Sequence, residues 1–190
     1  IEGHGHFLPL GRSLAQLDFS EDRSWAEVVE RVRVAAIEVE PSRWIFGRGW
    51  HQSKWESPPT TTIEGLPVHD ALSAVTPDNP VLLTHASGHA VFANEVAMER
   101  AGINASTPDP PGGEIVRDRG GEAIGVFRER AAGLIRPDRV GGSTEARLKE
   151  FVGLASRECL SKGVTSFQDA GSSLAEISVL KELAEEGSLD

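Results

Sequence analysis

Residues 1–11 read IEGHGHFLPLG, with two histidines, His4 and His6, one residue apart and an apolar run broken by Pro9 and Gly11. Side chains on a β-strand repeat their direction every second residue, so a strand here turns both imidazoles to one face. Two imidazoles on one face can share a divalent ion, and nitrogen donors suit Zn²⁺, Mn²⁺ or Fe²⁺. Gly5 between them leaves the approach of a cation open. Two ligands do not close a coordination sphere, so His-x-His alone reads equally as two polar residues at a strand end. The Pro and Gly that follow predict a turn.

Outward from this stretch, helical and strand periodicities alternate. Residues 24–40 carry apolar side chains at helical spacing, with Ser24 as N-cap, Glu27 as its capping-box partner and Pro41 as the stop. Residues 43–50 (RWIFGRGW) read as a strand and 68–75 (VHDALSAV) as a short helix. Residues 81–84 read as a buried strand; a polar turn and a helix over 90–100 follow, closed by Gly102. Residues 112–135 predict a β-hairpin around DRGG (118–121), its second run passing into a helical segment before Pro137. An amphipathic helix follows, capped by Ser143 or Thr144 and stopped by Gly163; residues 164–169 form a short strand and a last helix closes the chain.

The fold class is therefore α/β. The segments most like parallel, barrel-type strands, 1–7 and 164–169, lie about 150 residues apart, far more than one crossover helix requires. This predicts three parts: a first strand and turn (1–12), a large inserted α+β subdomain (13–142), and a helix, second strand and following helix (143–190).

Composition narrows the function classes. A length of 190 residues with 39% hydrophobic content suits one domain or slightly more. A net charge of −10 argues against nucleic acid and anionic membrane surfaces, because there is no Lys/Arg excess to neutralise phosphates. No apolar run is long enough to span a bilayer, and no signal-peptide pattern is present. The single cysteine, Cys159, excludes an internal disulfide, fits a reducing, cytoplasmic compartment and sits in a helical pattern as a buried thiol. Trp44, Trp50 and Trp55 crowd one short stretch.

Five blocks, in order, resemble the amidohydrolase superfamily, specifically its YtcJ-like branch, amidohydrolase family 3, which includes N-substituted formamide deformylases. EGHGHFLPLG (2–11) is similar to D-x-H-x-H-x-x-x-x-G, with Glu2 where Asp is usual. GRGWHQSKW (47–55) resembles G-x-G-W-(D/N)-Q…W, and DNPVLLTHASGHAVFAN (78–94) resembles P-V-x-L-x-x-x-x-G-H-x-x-x-x-N. Residues 112–135 are similar to G-G-x-I-x-R-D…G-x-P-x-G-x-L-x-E-x-A, and KGVTSFQDAG (162–171) to G-V-T-S-V-x-D-A-G.

The resemblance implies a metal-dependent hydrolase on a (β/α)₈ barrel, this chain holding the first two strands, and cleavage of a C–N bond in a small amide-like substrate by a metal-activated water. It implies a divalent ion, zinc first and manganese or iron otherwise, held by His4 and His6 with Glu129 as ligand or bridging carboxylate. Glu129 reads equally as an exposed residue beside Arg128 and Arg130. Trp50, Gln52, His89 and Asp169 are expected to face substrate, and Trp44 and Trp55 to pack. His51 and His85 depart from the family residues and are left outside the expected site; His69 is expected on a surface helix.

The superfamily draws further ligands from middle strands and a late aspartate, and after residue 171 the sequence holds no histidine. The chain is therefore expected to be the N-terminal part of such an enzyme, inactive alone and prone to self-association through uncovered strand edges. The competing readings are a stand-alone small-molecule binding module and a non-catalytic pseudoenzyme fragment.

Overall fold

The computed structural model describes residues 1–137 and 144–189. Its first elements are β1 (Glu2–Gly5), α1 (Phe7–Leu14), β2 (Leu17–Asp18), α2 (Trp25–Glu38), β3 (Ile45–Trp50), β4 (Thr62–Ile63), β5 (Leu66–Pro67) and α3 (Asp70–Val75). Then come β6 (Val81–His85), β7 (Ala90–Ala93), α4 (Glu95–Arg100), β8 (Gly113–Arg117), β9 (Ala123–Glu129), α5 (Thr144–Ser161), β10 (Phe167–Asp169) and α6 (Leu174–Glu185). Short 3-10 turns occupy Gln52–Lys54 and Arg130–Leu134. The chain divides into two compact units, Ile1–Gln16 with Val140–Asp190, and Leu17–Arg139.

In the first unit β1 lies parallel to β10, with Glu2 opposite Phe167 and Gly5 opposite Asp169. Phe7, Leu8, Phe151, Val152, Ala155 and Val179 form its core, with Cys159 buried at its edge. The turn expected after His6 is instead the helix α1. Pro9 stands at its third position, where the backbone N–H would have had no helical partner, so proline costs the helix nothing. Gly11 lets α1 approach α5 closely, since a Cβ there would collide with the Phe151 carbonyl. Of the two caps expected for α5, Ser143 lies outside the described residues.

In the second unit the described residues form a sheet in the order β2-β3-β6-β7-β9-β8. β2, β3 and β6 run parallel, whereas β7, β9 and β8 alternate. The β8–β9 hairpin is the one the sequence predicts. Residues alternate along β9: Ile124 and Val126 face one core, with Trp25, Val28, Trp50 and Phe92, and Ala123 and Phe127 face the other, with Ala97 and Met98. Burial on both faces makes this strand a continuous apolar run.

Two local expectations are corrected. Residues 90–93 form strand β7, not the start of a helix. Their short apolar run is compatible with either period, and pairing with both β6 and β9 decides for the strand. The helix begins at Glu95, where the Asn94 side chain accepts the Ala97 N–H. At α2, Ser24 caps the Glu27 N–H as expected, but the Glu27 carboxylate takes the Arg23 N–H rather than that of Ser24.

Asn94 holds this unit together. It is fully buried; its Oδ1 accepts N–H groups from Val81 and Ala97, and its Nδ2 donates to Thr76 and to the Asn79 carbonyl. A buried amide with every donor and acceptor used costs far less than one left unpaired.

Candidate functional site

The first unit carries the histidine pair. His4 and His6 are exposed, and their ring centroids are 5.9 Å apart at an interplanar angle of 81°. Two imidazoles bound to one tetrahedral ion at Zn–N lengths of about 2.0–2.1 Å have centroids roughly 5 Å apart, so a small rotation of either ring would let both reach a common ion. The backbone around them is set by carboxylates. The Glu2 Oε1 accepts the His4 N–H at 3.0 Å, and the Asp169 Oδ1 accepts the Phe7 N–H at 2.8 Å. Gly5 has a different reason from the one expected: a Cβ there would strike the Phe167 ring, so the glycine admits that ring rather than a cation.

Asp169, expected to face substrate, is a positioning group. Its Oδ1 caps the first helical N–H of α1, where His6 offers no side-chain cap, and its Oδ2 accepts the Ser172 hydroxyl. Burial pushes this carboxyl up, but the hydrogen bonds from Ser172, Phe7 and Gly171, with the nearby His6, hold it below the usual aspartate value.

The remaining expected residues lie in the second unit. Trp50 is a correction: it is fully buried, its indole N–H donates to the Leu83 carbonyl at 3.0 Å, and it presents no surface to a ligand. Trp55 stacks against it and Trp44 against Phe46, both as packing residues. His69 is half-buried, its Nδ1 3.0 Å from the Ser73 hydroxyl.

His89 and Glu129, from separate sequence blocks, come together. The His89 Nδ1 lies 3.2 Å from the Glu129 carboxylate, and the Glu129 N–H donates to the His89 carbonyl at 2.8 Å. Glu129 holds a φ of +50°, a conformation that costs a non-glycine residue energy and recurs at functional sites. The pair lines a cavity of about 380 Å³ with Gly112, Gly113, Glu114 and Arg128. Arg128 is tied to Glu64 and Glu114, so its charge is already matched. Glu129 thus partners His89, and among the described residues no three His, Cys, Asp or Glu side chains are grouped to hold an ion. The donor set fits two positions of a metal sphere.

Sequence reasoning missed a cluster at the C-terminal ends of β3 and β6. His51 and His85 have ring centroids 4.6 Å apart, and the His85 Nε2 lies 3.1 Å from the Gln52 Oε1. Its signal was legible as two short repeats, His-Gln-Ser at 51–53 and His-Ala-Ser at 85–87. In each, the histidine Nδ1 accepts the backbone N–H of the serine two residues on. Burial, and then the charge of His51, lower the His85 pKa below its ordinary value.

Comparison with known proteins agrees with the fold and the motifs. The Amidohydrolase family model matches residues 1–190. The chain is 32% identical to YtcJ of Bacillus subtilis over 87% of its length and 33% identical to the N-substituted formamide deformylase of Arthrobacter pascens over 90%. It is also 31% identical to Protein LONG AFTER FAR-RED 3 of Arabidopsis thaliana over 90% of its length. It spans 30%, 31% and 28% of those relatives, respectively. Two solved structures described as uncharacterized metal-dependent hydrolases share the mixed α/β fold. The one from Pyrococcus horikoshii has a TM-score of 0.71 at 23% identity, over 99% of this chain and 34% of that one. The one from Pyrococcus furiosus has a TM-score of 0.69 at 26% identity, over 100% of this chain and 35% of that one.

Proposed function

Because this chain belongs to the amidohydrolase family, we propose that it forms the part of a metal-dependent hydrolase that offers two imidazoles, His4 and His6, to a divalent ion. The observation that carries this reading is the exposed histidine pair, rings 5.9 Å apart, with His4 on β1, which runs parallel to β10, and His6 just past the strand end at the N-cap of α1. In this reading β1 and β10 are the first two strands of a (β/α)₈ barrel and residues 17–139 are an insertion between them. The long separation of two parallel neighbours supports it. Zinc suits nitrogen donors and is the first choice in this reading, with manganese and iron as alternatives.

A bound ion supplies a water of lowered pKa and polarises a carbonyl. The chain's own residues do the positioning. Glu2 and Asp169 fix the backbone on either side of the two histidines, and Gly5 admits the Phe167 ring that packs β1 against β10. Gln52 and His89 face the substrate, a small amide-like molecule; the formamide deformylase relative supports that class. Glu129 serves as partner of His89.

Cobalt(II) titration of the chain, followed by visible absorption, tests the ion site. Weak binding is expected, because two ligands leave the ion largely hydrated, and both His4→Ala and His6→Ala should abolish it. Binding unchanged in both variants would overturn the assignment. The chain alone should hydrolyse N-formyl or N-acyl amides only at trace rates; rapid, chelator-sensitive turnover would show that two histidines are not half of the site.

A further inference from the structure

The second unit contains a set of side chains whose proton positions are dictated by groups that can only donate. The Ser87 backbone N–H lies 3.1 Å from the His85 Nδ1, so that nitrogen must be bare. The Ser87 hydroxyl accepts the His89 N–H at 3.1 Å and directs its own proton to the same Nδ1 at 2.8 Å. In the neutral ring the remaining proton is therefore on Nε2, which donates to the Gln52 Oε1 at 3.1 Å. A reversed Gln52 amide would set N–H against N–H, so the carboxamide is locked with its NH2 group turned from His85. The Ser53 N–H, 3.2 Å from the His51 Nδ1, likewise places the His51 proton on Nε2. His85 itself stands edge-on to the buried Trp50 ring, centroids 4.6 Å apart, which pins the whole chain of bonds.

What is left over is one-sided. Both Nδ1 atoms and the Gln52 Oε1 are occupied, whereas the Gln52 NH2 and the His51 Nε2–H have no partner among the described residues. The histidines offer no bare nitrogen to a metal ion, and an ammonium would meet donors only. We infer that Gln52 and His51 are a donor pair that recognises an sp² oxygen of the substrate, with His85 as the positioning residue that orients them. The pair sits beyond the C-terminal ends of two parallel strands, β3 and β6, where open α/β sheets bind ligands. Calling the ligand the substrate rests on the hydrolase reading above; the acceptor specificity does not. The oxygen comes either from an amide carbonyl or from a carboxylate.

The test is NMR on the ¹⁵N-labelled chain, titrated separately with N-methylformamide, acetate and methylammonium. Long-range ¹H–¹⁵N spectra of the untreated protein should show both His51 and His85 protonated at Nε2. The Gln52 side-chain amide and the His51 Nε2–H should shift saturably with N-methylformamide if the oxygen is a carbonyl, or with acetate if it is a carboxylate, and not with methylammonium. Gln52→Glu, which replaces the donors with acceptors, should abolish the response. His85→Phe, which keeps a ring against Trp50, should weaken it about tenfold, the effect of losing one orienting hydrogen bond. An Nδ1–H tautomer at His85, shifts with methylammonium equal to those with the acceptors, or no response to either acceptor would overturn the inference. His4→Ala should abolish cobalt binding yet leave these shifts intact, so failure of the hydrolase reading and failure of the donor pair give different results.

Discussion

In the first unit the His4 and His6 rings are exposed and make no hydrogen bond among the described residues; in the second, both ring nitrogens of His85 are engaged and the ring is half-buried against Trp50. The first arrangement leaves lone pairs available, as a cation requires. The second uses every lone pair and leaves only donors, as an oxygen acceptor requires. Imidazoles of one chain thus acquire opposite chemistries from what surrounds them, not from their identity.

The contrast extends to how each unit is braced. The second depends on the buried hub at Asn94, and Asn94→Ala should have the largest effect. It strands the Val81 and Ala97 N–H groups and two carbonyls, at a cost of about 3 kcal/mol or more. A urea midpoint lowered accordingly, with faster hydrogen exchange in β6 and α4, is the expected result. A loss below about 1 kcal/mol would show that water replaces the amide and that the hub is not the brace.

The first unit is braced by a half-exposed carboxylate, so its disruption should be smaller. Asp169→Asn should cost about 1.5 kcal/mol at neutral pH, the ordinary worth of a charge-assisted hydrogen bond. The folded carboxyl titrates below the ordinary aspartate value of 3.8, so its stabilisation is present above that value and disappears as pH falls through the depressed one. Denaturation curves of wild type and variant should therefore separate at neutral pH and converge in acid; a constant gap would deny the carboxylate this role.

The smallest effect concerns His85. Its folded pKa lies below 6.5, so the unfolded chain takes up a proton first as pH drops. This residue's contribution to stability should be flat above 6.5 and decline between that value and the lower folded one. NMR titration should place its midpoint below that of an ordinary histidine; a raised midpoint would mean that the ring is not held neutral and would blur the contrast between the two units.

Much of this architecture was legible in residue patterns. The spacing of Trp25, Val28 and Val32 with Ser24 ahead of them specifies α2, and the DRGG turn between two alternating runs specifies the β8–β9 hairpin. In both, the decisive interactions lie within a few residues. The helix at Phe7–Leu14 was less legible, because Pro9 and Gly11 read as breakers until the first-turn position and the contact with Phe151 are known. The strand at Ala90–Ala93 was undecidable locally, since its partners β6 and β9 come from both sides of it in the chain. At the sites, the nearness of His4 and His6 follows from their two-residue spacing, but β1 ends at Gly5 and His6 is the N-cap of α1, which strand periodicity did not foresee. The two His-x-Ser repeats were visible but had no meaning in isolation.

The sequence by itself determined the α/β class, most elements and the nearness of two imidazoles at the end of one strand, because these depend on propensity, on period and on adjacency in the chain. Only the tertiary structure decided that Trp50 is core, that Asp169 caps a helix 162 residues away in sequence, that Glu129 meets His89 and that Gln52 turns its donors outward. Each of those outcomes depends on which distant backbone N–H or carbonyl lies within 3 Å or so of a side chain, and hydrogen bonds of that reach are set by packing rather than by neighbours in the chain.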